Sequence, residues 1–458
     1  MQANKIEQIS ENQRHFFNTG TTLDYAFRLK ALKDLKASIL KYEQDIYAAL
    51  WKDLHKSKFE AYASEIGFVL EELSFHIKHL KRWMKPKRVP SGLTMFPATT
   101  YSYYEPLGKV LVIAPWNYPF QLLLAPLVGA ISAGNTVILK PSEYSANTAS
   151  VVEKIINTAF PESYIRVITG DAAVSQTLLK LKFDHIFFTG SPRIGKIVMK
   201  AAAEQMTPVT LELGGKSPCI VDKTAKIKPA AKRIMWGKLL NAGQTCIAPD
   251  YLFVHQSVKE QLMLALVEAV KEMYGDDVKT SPDFPRIISK PNMERLAALI
   301  EGADIYYGGS YDVEDKYFQP TILDNVTFDD AVMQQEIFGP ILPVITYSNL
   351  DEVIEKVNAR PKPLALYLFT QSKKVQKQIL ERVPAGGVSI NDTLMHIVNN
   401  RVPFGGVGNS GTGGYHGFYS FQQLSNHKPF VKRGTWMDVP IRYAPYAKKL
   451  KIIKWLMK

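Results

Sequence analysis

Cysteine is nearly missing from this chain: Cys219 and Cys246 are the only two in 458 residues, too few for a disulfide framework. The N-terminal run MQANKIEQISENQ lacks the apolar core of a secretory signal. Both absences point to the reducing cytoplasm. Tandem repeats and low-complexity tracts are also missing, as are zinc-finger spacing, a ribonucleoprotein aromatic motif and any Gly-Arg tract. A repeat architecture, a nucleic-acid partner and a metal site are therefore not expected. Acidic residues are lacking locally. Ser74 to Pro90 holds six Lys or Arg and no acid, and Lys428 to Lys458 holds nine against Asp438 alone. These two segments account for the whole net charge of +13, so the body is near neutral. Such patches serve as solvated surface, as a contact for an anionic membrane, or as a seat for a partner subunit.

What is present is ordinary globular composition, 46% hydrophobic and 22% charged, in a chain long enough for two or three domains. Val110 to Leu139 runs thirty residues without a charge, a membrane-span length on hydropathy alone. Pro115, Pro119, Pro126, Trp116-Asn117 and Gly134-Asn135 instead divide it into a strand, a loop, a helix-length segment and a second strand. Short β-branched or aromatic runs then alternate with helical segments: Val110 to Ile113, Thr136 to Leu139, Tyr164 to Ile168, His185 to Phe188 and Val209 to Leu213. The pattern predicts a doubly wound parallel sheet with ligands at the carboxyl ends of its strands. A second α/β region from Ser217 to about Asn399 includes Tyr251 to Val254, Phe318 to Ile322, Leu364 to Phe369 and Val388 to Ile390. Residues 1 to 80 read as helical, with Leu29, Leu32, Leu35, Ile39 and Leu40 at helical spacing and Glu65, Glu71 and Glu72 on polar positions.

Six segments carry chemistry. Cys246 lies in Asn241-Ala242-Gly243-Gln244-Thr245-Cys246-Ile247-Ala248-Pro249, a polar, glycine-containing loop that suits an accessible thiol. Cys219, beside Ile220-Val221, reads as a core residue. Glu212, before Gly214-Gly215, either caps a turn or, partly desolvated, serves as a base of raised pKa. Phe188-Thr189-Gly190-Ser191-Pro192-Arg193-Ile194-Gly195 is a strand, turn and helix start that offers amides to an anion, without being the G-x-G-x-x-G fingerprint. Asn117 in Pro115-Trp116-Asn117-Tyr118-Pro119 presents an amide donor, and Lys140 with Glu143 offers partners for ribose hydroxyls. Turn chemistry explains these last two segments equally well. Glu336-Ile337-Phe338-Gly339-Pro340 places an acid, an aromatic and a turn together.

In their order and spacing these segments resemble the aldehyde dehydrogenase superfamily, and the likeness extends to Phe404-Gly405-Gly406-Val407-Gly408-Asn409-Ser410-Gly411. The short N-terminus, Tyr118, Gly237-Lys238 and Gly413-Gly414-Tyr415-His416-Gly417 are similar to the class 3 branch, of fatty and aromatic aldehyde dehydrogenases. Leu239 stands where the family often has an aromatic, a difference of packing alone. The resemblance implies an α/β fold with a cofactor domain (1–84 and 105–211), a catalytic domain (212–401), a β bridging segment (85–104 and 402–432) and a basic tail (433–458). It implies that Cys246 attacks an aldehyde, that Asn117 and the Cys246 amide hold the alkoxide, and that Glu212 activates the water that releases a free acid. Lys140 and Glu143 would bind the adenosine ribose, Gly190, Ser191 and Gly195 the pyrophosphate, Leu213 and Gly214 the nicotinamide, and Glu336 and Phe338 its ribose. NAD is favoured because Glu143 would repel a 2′-phosphate, with NADP as a second cofactor through Lys140. The implied substrate is a hydrophobic long-chain aldehyde; the alternative is an aromatic or isoprenoid (apocarotenoid) aldehyde. A non-enzymatic role would show itself by loss of nucleophile or base, and both are here.

The resemblance also implies a homodimer, paired through regions like Lys85 to Tyr104 and the stretch after Val402. The tail AKKLKIIKWLMK is amphipathic on a helix. Leu450, Ile452, Ile453, Leu456 and Met457 share one face, with Lys451, Lys454 and Lys458 opposite. It is too short to span a bilayer. It either docks on the protein's own body or lies peripherally on an anionic membrane.

Overall fold

A computed structural model describes residues 3–457. In the helix Tyr25–Lys41 the side chains of Leu32, Leu35 and Ile39 are fully buried, whereas Leu40 faces solvent. Two acids expected on polar positions are buried instead. Glu65 pairs with Lys56, and Glu72 with His76 and the Gly417 amide. A buried carboxylate is tolerable only with such partners, and single-segment periodicity does not reveal them.

The charge-free stretch is the centre of a six-stranded sheet. Its strand Lys109–Ile113, the helix Gln121–Ala133 and the strand Thr136–Lys140 are buried throughout, which explains the want of charge without a membrane. No helix of the described residues is long and apolar enough to cross one. Pro126, expected to punctuate the run, lies inside the helix, which forfeits one backbone hydrogen bond there. The sheet order is Gly411–Thr412, Val209–Leu213, His185–Gly190, Lys109–Ile113, Thr136–Lys140, Ile165–Val167, parallel except for the first. Gly411 has φ 150°, and a Cβ there would come within 2.3 Å of the Leu211 carbonyl oxygen. Only glycine closes this edge beside Glu212.

A seven-stranded sheet runs Ile305–Tyr307, Thr321–Leu323, Ile341–Tyr347, Tyr251–His255, Pro218–Val221, Ala365–Phe369, Gly387–Ile390, again parallel but for its first strand. The single strand expected over Phe318 to Ile322 is two. Pro320 has no N–H for a ladder, so Tyr317–Phe318 closes a hairpin on Tyr311–Asp312 while Thr321–Leu323 joins the sheet. A third, antiparallel sheet joins Lys87–Val89, Ala98–Pro106 and Ser425–Arg433, the last pairing along all nine of its residues. The tail forms the helix Leu450–Leu456, none of whose residues is buried. Of its apolar face only Ile453 and Leu456 are half-buried, so docking on the body is partial at most among the described residues. Lys458, counted on its polar face, lies outside them.

Candidate active site

The nucleophile loop follows the helix Ile227–Leu239 through a turn in which Asn241, Ala242 and Gly243 all take left-handed φ, 53°, 51° and 75°. At Gly243 a Cβ would meet the Gly339 carbonyl oxygen at 2.2 Å, so this loop and the Glu336–Pro340 segment can cross only through glycine. Hydrogen bonds fix the turn. The Asn241 amide donates to Glu60 Oε1 at 2.9 Å, and Asn241 Nδ2 to the Asn117 carbonyl at 2.8 Å. Gln244 donates from Nε2 to the Arg286 carbonyl at 3.0 Å and accepts at Oε1 from the Ile288 amide at 3.0 Å. Cys246 emerges half-buried on a cavity wall. Burial pushes its thiol pKa up, and Glu336 and Glu212 push the same way; the amides of Cys246 and Ile247 oppose them.

Glu212 and Tyr118 share that cavity with Cys246. Glu212 is 3% exposed and neither carboxyl oxygen has a hydrogen-bond partner among the described residues. Burial alone drives its pKa well above the ordinary value. Tyr118 bonds Thr245 Oγ1 at 2.7 Å. Asn117 is set deeper, at 2% exposure. Its Nδ2 donates to the Gln244 carbonyl at 3.0 Å, which orients the amide two residues before Cys246 and leaves one N–H uncommitted.

An adjoining cleft of about 330 Å³ is lined by Pro192, Gly214, Gly215, Lys216 and Glu336 among others. A Cβ at Gly214 would lie 2.2 Å from Glu336 Oε2, and one at Gly195 would lie 2.6 Å from the Leu213 side chain. Burial and Asp250 push Glu336 up to about 8 against the Gly215 amide, Lys216 and Arg295. Ser191 caps the helix Pro192–Glu204 by accepting from the Ile194 amide at 3.4 Å, and Gly190 ends the neighbouring strand. Phe338, at φ 50°, stands edge-on to Trp116 at 5.4 Å. Lys140 is buried at its strand's end, its Nζ 2.7 Å from the Pro141 carbonyl and 3.7 Å from Glu143, whose side chain is 42% exposed. This pair lies apart from both cavity and cleft. The set fits a dinucleotide. Gly214 and Gly195 let Glu336 and Leu213 pack close against the backbone at the cleft, a capped helix start faces it, and a cation–carboxylate pair stands two strands away.

The cavity before Cys246 measures about 530 Å³ and is walled by Phe59, Phe68, Trp236, Met273, Ile397 and Phe404. Besides Glu212, its buried polar residues include Gln121 and Glu60, the latter raised to about 7 by burial against Lys56 and the Asn241 amide. Apart from Phe404, quoted only within a glycine-rich run, these wall residues were not picked out from sequence, because they come from distant segments. The Lys56–Glu65 pair was likewise missed.

A model of the "Aldehyde dehydrogenase family" matches residues 1–430. The chain is 50% identical over 457 residues to the 4,4'-diaponeurosporen-aldehyde dehydrogenase of Staphylococcus aureus (strain NCTC 8325 / PS 47), covering 99% of this chain and 100% of that protein. It is 45% identical over 442 residues to aldehyde dehydrogenase family 3 member A2 of Macaca fascicularis, covering 96% and 91%. The solved substrate-bound state of Staphylococcus aureus AldH superposes with a TM-score of 0.98 at 49% identity and covers 99% of both chains. The expected α/β architecture and the class 3 resemblance both hold.

Proposed function

The chain belongs to the aldehyde dehydrogenase family, and from that premise we propose that it oxidises a long, apolar aldehyde to the free acid through Cys246, Asn117 and Glu212. The observation that carries the substrate class is the cavity. At about 530 Å³ and walled mainly by aromatic and aliphatic side chains, it offers an alkyl or polyene tail burial, and with acids but no Lys, Arg or His in its lining it gives an anionic substrate no partner. A polyene aldehyde is the second reading, favoured by the relative named for diaponeurosporenal at 50% identity.

In this reading the Cys246 thiolate adds to the aldehyde carbon, and the alkoxide takes hydrogen bonds from the free N–H of Asn117 and the Cys246 amide. Donors aimed at such developing charge contribute a factor of roughly 10² to 10³ each. A bound nicotinamide supplies the hydride acceptor. Lys140 and Glu143 would hold its adenosine ribose, Gly190, Ser191 and Gly195 the pyrophosphate, Leu213 and Gly214 the ring, and Glu336 and Phe338 the second ribose. Glu143 favours NAD over NADP. Loss of the aldehyde hydrogen as hydride to that acceptor would leave the acyl group on Cys246 as a thioester; Glu212, on the same cavity, then takes a proton from water, the water oxygen adds to the thioester carbon, the C–S bond breaks, and the acid leaves with the Cys246 thiolate restored.

The three-stranded sheet, with regions 85–104 and 402–432, would pair two copies of the chain, and the tail would lie on an anionic membrane. Two unbridged cysteines agree with a cytoplasmic setting.

The test is NADH appearance from purified protein across short, long-chain, aromatic and polyene aldehydes. We expect kcat/KM to rise with apolar length, at about tenfold for every two buried methylenes until the cavity fills, and Cys246→Ala to abolish the signal while NAD still binds. Preference for short aldehydes would overturn the substrate reading, and turnover by Cys246→Ala the mechanism.

A further inference from the structure

Lys56 and Glu65 are the most deeply buried ion pair among the described residues, 2.6 Å apart with both side chains at 0% exposure. Their other hydrogen bonds and the one ring contact fall on one short stretch, with the buried Glu60 as a further charged neighbour. Lys56 Nζ donates to the Asn117 carbonyl at 3.0 Å and lies 4.0 Å from the centre of the Tyr118 ring. Glu65 Oε2 accepts from the amides of Phe120 and Gln121 at 2.9 and 3.1 Å. The pair thus grips residues 117 to 121, the loop that carries the proposed oxyanion donor, at three backbone groups and one ring. Asn241 Nδ2 is a second donor to the same Asn117 carbonyl.

Glu65 reaches this position because Tyr62–Ile66 is a π turn, closed by the Gly67 amide on the Tyr62 carbonyl. A Cβ at Gly67 would approach that oxygen to 2.9 Å, so glycine maintains the wide turn. Single π turns inside helices concentrate at functional sites. Here the turn has two faces: Ala63 and Ser64 line the substrate cavity while Glu65 holds the loop behind it. A buried ion pair contributes little net stability relative to apolar packing, so a role in geometry accounts for it better.

We propose that Lys56 and Glu65 are positioning residues that fix Asn117 where its free N–H meets the alkoxide. The proposal rests on the assignment of Asn117 made above. Because Gln244 sets the rotation of the Asn117 amide and the pair sets the height of its backbone, loss of the pair leaves the donor present but misplaced. Misplacement by about 1 Å slows a reaction by up to roughly 10².

The experiment compares Lys56→Met, Glu65→Gln, Asn117→Ala and the combined Lys56→Met/Asn117→Ala, with NAD bound. Rapid mixing with a saturating aldehyde gives the NADH burst rate, and titration gives NAD affinity and aldehyde KM. We expect Lys56→Met to slow the burst by roughly 10 to 10² with KM and NAD affinity within about twofold, and Glu65→Gln, which keeps an acceptor for the two amides, to slow it less. In the Asn117→Ala background Lys56→Met should add less than about threefold, since no amide remains to be positioned. Should Lys56→Met fail to fold, Lys56→Met/Glu65→Gln, which removes both charges of the pair together and leaves beside them only Glu60, already raised to about 7, carries the same comparison. An unchanged burst in the folded variant, or multiplicative losses in the combination, overturns the proposal. An unchanged burst in Asn117→Ala overturns the oxyanion assignment instead, and so separates the two.

Discussion

Glu212 is held in an unusual state for a carboxylate: buried at the end of its strand, both oxygens without a partner among the described residues, and its pKa raised well above the ordinary carboxylate range by burial. As a base it works only when ionised. Its raised pKa therefore places the active form on the alkaline side, so deacylation should slow as pH falls through that pKa and quicken as pH rises. Glu212→Gln should remove this pH limb and slow deacylation by at least roughly 10², while the NADH burst that precedes it persists. Loss of the burst too, seen by rapid mixing, would assign Glu212 a role in the redox step or share its work with Glu336. The residue was legible in sequence as an acid before two glycines. Its isolation from every donor was not, because that is decided by Gly405 and Gly411 arriving from almost two hundred residues away. A Cβ on Gly405 would stand 3.2 Å from Glu212 Oε1.

At the scale of the element, the tail helix Leu450–Leu456 leaves much of its apolar side uncovered. Leu450, Ile452, Trp455 and Met457 are more than half exposed, beside the solvated Lys448, Lys451 and Lys454. An uncovered amphipathic helix rich in lysine suits an anionic bilayer surface. Deleting residues 447 to 458 should weaken sedimentation with anionic vesicles and raise the apparent KM for membrane-embedded long-chain aldehydes, with little effect on short soluble ones. Each lysine near such a surface contributes about 1 kcal/mol within a screening length, so added salt should weaken vesicle binding as well. Equal losses on short and long aldehydes would mean that the tail supports the fold. Amphipathicity was readable from the sequence, whereas how little of the apolar face is covered was not, since that depends on what surface the rest of the chain presents.

At the scale of the whole molecule, the strand Ser425–Arg433 forms the outer edge of the antiparallel sheet and is solvent-facing along its middle, with Phe430 stacked on Tyr101 at 4.8 Å and Val431 half exposed. A nine-residue open edge invites pairing with another chain. We expect a homodimer, and light scattering at micromolar concentration checks it; a monomer mass would sink the expectation. The near-neutral body with its basic segments was visible from charge spacing alone. So were the parallel strands of the six-stranded sheet, whose apolar runs need no partner to be recognised, and the loops of Cys246, Asn117 and Ser191, where a few adjacent residues encode the backbone turn that ends each element, whereas Pro218–Val221 and Ile341–Tyr347 of the larger sheet were not picked out. The tertiary structure alone decided the rest. The hydrophobic cavity draws its walls from segments near residues 60, 236, 273 and 400. Glu65 and Glu72 became interior residues only because Lys56, His76 and the Gly417 amide meet them there. Turn and strand signals are local because they arise from neighbouring dihedrals and side chains. Burial of a charge and the shape of a cavity depend on which distant segments come together, and one-dimensional order does not contain that information in readable form.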